Sequence, residues 1–114
     1  MVIRDLADEI RDFAASHPEG WTHEEWREFI QGLSEAGHDV QDPDRIGLEL
    51  EKERLAQTLR GMEIRGLGPR RIESITNRFG SLWAARNASS EDLADVPRLP
   101  RSLAARLTEE LRSL

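Results

Sequence analysis

The residues of this 114-residue chain whose types and spacing best suit chemistry are Gly66-Leu67-Gly68-Pro69-Arg70-Arg71. Neither glycine carries a Cβ, so the backbone is free to take positive φ there and to approach another group closely. Pro69 has a preset φ and no N–H, which suits the first position of a helix. Ile72, Ile75 and Phe79 follow at a spacing that lays them on one helical face. The turn therefore opens a helix, and the amides around Gly68 to Arg71 point out of its positive end, where an anion is held well. Two arginines in that first turn oppose the helix dipole, which argues for a negative partner. The competing reading is a solvated helix start.

Other constellations are weaker. His23-Glu24-Glu25 begins like a zinc-protease helix, but Arg27 stands where the second histidine belongs, so the stretch reads as a helix cap. Asp39, Asp42 and Asp44 echo a calcium loop, yet Pro43 and the missing glycine and bidentate glutamate break it. The chain has no cysteine, hence no disulfide, thiolate metal site or thiol nucleophile. Its three histidines are scattered, and nothing pairs a nucleophile with a base. The expectation is a protein without catalysis and without a metal centre.

The stretch Ile64 to Arg71 resembles the hairpin of the helix-hairpin-helix family of DNA-binding modules. Arg78-Phe79-Gly80-Ser81-Leu82-Trp83 and Asn87-Ala88-Ser89-Ser90-Glu91-Asp92-Leu93-Ala94-Asp95-Val96-Pro97 continue the likeness. They are similar to the bridge between two hairpins in tandem members found in excision-nuclease subunits, branch-migration proteins and NAD-dependent ligases. The resemblance covers about residues 55–114. It implies phosphate-backbone contact without sequence readout, in DNA repair or recombination. Gly66, Leu67, Gly68 and Arg70 would offer amides, and Arg70 and Arg71 charge. It also implies a monovalent cation on hairpin carbonyls as the one possible cofactor.

A second hairpin is visible as an internal repeat without that resemblance. A shift of 32 positions lays Ile64 on Val96, Leu67 on Leu99, Ile72 on Ala104, Ile75 on Leu107 and Phe79 on Leu111. Apolar matches apolar throughout, as two copies of one supersecondary unit require. The turn has diverged: Gly66 becomes Arg98, and Gly68 becomes Pro100. Arg98 restricts φ and Pro100 lacks an N–H, so the fold is expected to survive while the backbone cradle weakens. Arg98, Arg101 and Ser102 are the candidate contacts of this copy.

Helices must position these residues. Val2 to Ser16 carries an apolar stripe through Ile3, Leu6, Ile10 and Phe13. Thr22 and Glu25 form a capping box, with Trp21 and Trp26 as its hydrophobic staple, and Gly37 ends that helix. Asp42-Pro43 starts a third helix, in which Gly47 marks close packing or a break and which ends near Gly61. Trp83 can stack on a base or fill the core between the hairpins, and core filling is the expectation. With no alternating run, the fold class is all-α: a tandem helix-hairpin-helix domain, 53–114, preceded by an acidic helical unit, 1–52.

Charge divides the chain the same way. Residues 1–59 hold six Arg/Lys against fifteen Asp/Glu, and residues 60–114 hold ten Arg against seven acids, so a net charge of −6 conceals −9 and +3. The basic part coincides with the hairpins, where phosphate contacts are needed. No apolar run approaches the ~18 residues of a membrane span, and the N-terminus lacks a signal peptide's apolar core; the expectation is a cytoplasmic protein. Two function classes remain. One is a DNA-binding module acting through the first hairpin. The other is a protein-interaction module, in which the hairpins dock or dimerise, or the acidic half meets a protein partner.

Overall fold

Thr22 begins the best-defined helix of the N-terminal part. Its hydroxyl accepts from the Glu25 amide at 3.1 Å, while the Glu25 carboxylate accepts from the Thr22 amide at 2.9 Å. Two of the orphan donors at a helix start are thereby satisfied. The other end closes as a Schellman motif: His38 N–H donates to Leu33 O at 2.9 Å and Gly37 N–H to Ser34 O at 3.1 Å. Gly37 takes φ 95°, which a side chain would strain.

The computed structural model describes residues 4–114. Every regular element among them is a helix: α1 (Leu6–Ser16), α2 (His23–Glu35), α3 (Pro43–Gly61), α4 (Pro69–Phe79), α5 (Leu82–Arg86), α6 (Ser90–Ala94) and α7 (Arg101–Arg112). The all-α expectation holds. Val2 and Ile3, expected in the first helix, lie outside the described residues. No helix among the described residues is long and apolar enough to cross a membrane.

Two apolar clusters organise the chain, and α3 contributes to both. Ile46 and Leu50 pack with Ile10, Ala14 and Leu33 in the first, against the half-buried Phe13, Trp21, Trp26 and Phe29. Leu55, Ala56 and Leu59 belong to the second, built around the hairpins. The expected boundary between residues 52 and 53 thus falls within one continuous helix. Gly47 does not break α3, and a Cβ there would meet the Trp26 ring at 3.6 Å, an ordinary van der Waals distance, so the packing does not require a glycine.

The second cluster collects the repeated positions. Ile64, Ile72, Ile75, Val96, Leu99, Ala104, Leu107 and Leu111 are buried in it, with Leu67 and Phe79 partly buried against it. Between the copies run the two short helices α5 and α6. Ser81 caps the first, and a Ser89–Asp92 capping box starts the second. Trp83 is a correction to the sequence reading: it does not fill this core but stands 75% exposed. On the five-residue α5 it is Leu82 and Ala85 that turn inward.

The capping box has a pH signature. The Thr22 amide, donating to the Glu25 carboxylate, holds that carboxyl below its ordinary value of 4.5, and the Thr22 and His17 side chains add to the effect. A depressed folded value means that the stabilisation is complete above about pH 4.5 and is lost as pH falls through the folded value. Thermal melts from about pH 6 down to about pH 3 should therefore show an acid limb that Glu25→Gln reduces. Thr22→Ala should cost about 1 kcal/mol at neutral pH.

Candidate nucleic-acid interface

Each hairpin turn closes in the same way. Leu67 N–H donates to Ile64 O at 3.0 Å, and its repeat counterpart Leu99 N–H donates to Val96 O at 3.2 Å. One residue before each donor the backbone has positive φ: 90° at Gly66 and 68° at Arg98. Arg98 therefore adopts the conformation of the glycine it replaces, at a cost of about 1–2 kcal/mol for an L-residue. The helices then begin alike, with Ile72 N–H on Gly68 O at 3.0 Å and Ala104 N–H on Pro100 O at 2.9 Å. Divergence of the turn sequence has not changed the turn.

These closures decide which amides remain. The Leu67 N–H, expected to face an anion, is consumed by its own turn. Among the described residues, the amides of Gly66, Gly68 and Arg70 have no hydrogen-bond acceptor, and neither does that of Arg71. In the second copy Pro100 offers no N–H, but Arg101 stands where Pro69 stands in the first. The open start of α7 thus presents the amides of Arg101, Ser102 and Leu103. Neither helix start carries a side-chain cap. The weakened second cradle expected from Pro100 is offset by the extra donor at Arg101.

Arg70 and Arg71, adjacent in sequence, have different roles. Arg70 is exposed. Arg71 reaches across to the other copy: its Nε donates to Arg98 O at 2.9 Å, and one terminal nitrogen donates to Gly66 O. Sequence reasoning gave it charge without these partners. The carbonyls of Gly66 and Arg98 belong to the same peptide units as the Leu67 and Leu99 amides that close the two turns. One guanidinium thus polarises both closing peptides, and hydrogen bonds linked in this way strengthen each other. Each of these two hairpin carbonyls thus accepts a hydrogen bond from one built-in cation.

The reciprocal contact is apolar. Under the 32-residue shift Arg71 corresponds to Leu103 and Gly66 to Arg98. Leu103 lies 3.9 Å from the place a Cβ would take on Gly66. Position 71 touches position 98, and position 103 touches position 66, as an approximate two-fold relation demands. An open cleft of ≈ 340 Å³ lies between the turns, lined by Arg65, Gly66, Arg71, Pro100, Ser102 and Arg106, with Leu103. Arg65 and Arg106 were not singled out from sequence, because only the facing of the two copies brings them together. Among the described residues Arg65, Arg70, Arg98, Arg101 and Arg106 join no ion pair, whereas Arg4, Arg11 and Arg60 do.

Comparison with known proteins agrees with this geometry. Residues 58–113 match the family described as the SAM-like helix-hairpin-helix tandem. The chain belongs to the tandem helix-hairpin-helix family through this C-terminal part. It is also similar to the UvrABC system protein C of Actinobacillus succinogenes, 31% identical over 99 residues, covering 70% of this chain and 16% of that protein. The homologous protein of Symbiobacterium thermophilum is 43% identical over 49 residues, 43% of this chain and 8% of that one. That of Methanothermobacter thermautotrophicus is 46% identical over 44 residues, 39% and 8% respectively. The chain thus spans a small fraction of the length of these relatives. No solved structure matches it.

The tandem helix-hairpin-helix geometry makes Arg71 structural and Arg70 not. Arg71→Ala should lower stability by about 1–2 kcal/mol, a drop of several degrees in Tm, and Arg70→Ala should leave the Tm within about 2 °C. Arg71→Lys should not restore the loss, because an ammonium lacks the planar fork that spans two carbonyls. Arg98→Gly should raise stability by about 0.5–1 kcal/mol, the relieved strain less the added chain entropy. Calorimetry of the four variants checks all of this.

Proposed function

We propose that this chain is a non-catalytic, sequence-independent DNA-binding module of a DNA-repair system, gripping phosphates with both hairpins. The observation that carries the reading is the pairing of two uncapped helix starts across an arginine-lined cleft. Each start offers unpartnered amides at the positive end of a helix, which favours anionic oxygen. The flanking Arg65, Arg70, Arg101 and Arg106 are exposed and outside any ion pair among the described residues. Likeness to UvrABC system protein C supports the repair setting.

The same inventory supports a reading without base specificity and without catalysis. Amides and guanidinium groups directed at phosphate fix position but carry no sequence information. They stabilise anions, but an arginine cannot give up its proton and so cannot act as a base. Contact through both copies extends the interface beyond the first hairpin, with Arg70 and Arg101 as its charged ends.

Fluorescence anisotropy with labelled duplex, single-stranded and branched DNA at rising salt tests this. Each neutralised phosphate steepens log K against log[salt] by about 0.9 on duplex, so a slope of about −2 to −4 is expected. Arg70→Glu combined with Arg101→Glu should flatten it by about 2 with an unchanged Tm. Duplexes of different base composition should bind alike. Absence of binding at low salt would overturn the proposal and turn the hairpins toward docking a protein.

A further inference from the structure

The acidic part carries a surface that the hairpins do not use. Along the junction of α2 and α3 lie two open depressions of ≈ 930 and ≈ 580 Å³, both lined by His23 and Trp26 and together referred to as the α2–α3 groove. Its floor is apolar: Trp21, Trp26 and Ile30 are half-buried, and Leu48 is 63% exposed. Its rims are acidic, with Glu24 and Glu28 on α2 and Asp44 and Glu51 on α3; Arg27 is the one fixed cation along it.

Leu48 belongs to neither core. The buried stripe of α3 runs through Ile46, Leu50, Leu55 and Leu59, and a residue two places from Ile46 and from Leu50 points to the far side of the helix. Beside it, Gly47 faces the Trp26 ring, which lies 3.6 Å from where a Cβ would stand. An apolar floor with acidic rims matches a helix that has an apolar stripe and cationic flanks.

We infer that the α2–α3 groove docks a basic amphipathic helix of a partner protein, its apolar side on Trp26 and Leu48 and its Lys/Arg side chains against the rim carboxylates. The site is separate from the hairpins, so DNA binding and helix docking stand or fall independently.

The test uses the whole chain carrying Trp83→Phe, which leaves Trp21 and Trp26, both in the groove, as reporters. The probe is a tryptophan-free Leu/Lys amphipathic peptide of about 18 residues, five helical turns. A saturable one-to-one blue shift of the emission is expected. Leu48→Glu should weaken binding about tenfold, the equivalent of losing one buried leucine contact, although it adds a negative charge. Asp44→Lys with Glu51→Lys should weaken it by a similar factor and reduce its salt dependence. Circular dichroism should stay unchanged in both variants, because Leu48 and Asp44 are exposed and Glu51 only half-buried. Equal or tighter binding to Leu48→Glu would overturn the inference, since charge attraction alone predicts that direction. Lack of saturation would also overturn it, as would sedimentation showing that the free chain self-associates and that Leu48→Glu abolishes this.

Discussion

Neither hairpin copy can bury its own apolar face, and the basic end of the molecule follows from that constraint. A helix–turn–helix unit of this size has one apolar side and no second layer to cover it. The two copies solve this by pooling Ile64, Ile72 and Ile75 with Val96, Ala104 and Leu107 in one core. Once the apolar faces are turned together, the turns come side by side and the starts of α4 and α7 open beside the same cleft. The contact of Arg71 with Arg98 and that of Leu103 with Gly66 are then one contact seen twice, polar in one copy and apolar in the other. Arg98 can keep its unfavourable φ because the pooled core and the Arg71 guanidinium over-determine the turn around it.

The same helix that completes this core also carries the acidic unit. About 20 Å of α3 separates Ile46 in one cluster from Leu59 in the other, at 1.5 Å per residue. That is more than two Debye lengths at physiological ionic strength, where the screening distance is about 8 Å. The two charge blocks meet within α3, where Arg60 of the basic part pairs with Glu53 of the acidic part at 3.1 Å, whereas Arg65, Arg70, Arg101 and Arg106 join no ion pair among the described residues. The molecule extends 47 Å along its longest axis.

Local signals were legible in the sequence, and tertiary ones were not. The Thr22–Glu25 box, the Gly37 terminus and the prolines opening α3 and α4 depend on neighbours within five residues, and each appears where its residue types place it. The 32-residue repeat was equally readable, since burial selects apolar residues whichever partner supplies the contact. Arg71 illustrates the limit: nothing between Gly68 and Phe79 indicates that its partner is a carbonyl 27 positions away. Trp83 illustrates it from the other side. Large aromatics are usually buried, but on the short α5 the inward positions go to Leu82 and Ala85. The Ser89–Asp92 box starting α6 was a readable signal that the sequence reading passed over.

What an arginine does here is decided by which acceptor it can reach. In the acidic unit, carboxylates lie within reach, so Arg4 and Arg11 are paired and their charge is locally neutralised. At the hairpins, the acceptors within reach of Arg71 are backbone carbonyls, which take its hydrogen bonds but leave its full positive charge in place. A fixed, uncompensated cation beside two helix starts raises the potential of the cleft whether or not it touches a ligand. Removing it therefore acts in two ways, loosening both turns and lowering the field felt by any phosphate. Charge reversal at Arg71 cannot separate these effects, whereas reversal at Arg70 and Arg101, which hold nothing together, changes the field alone.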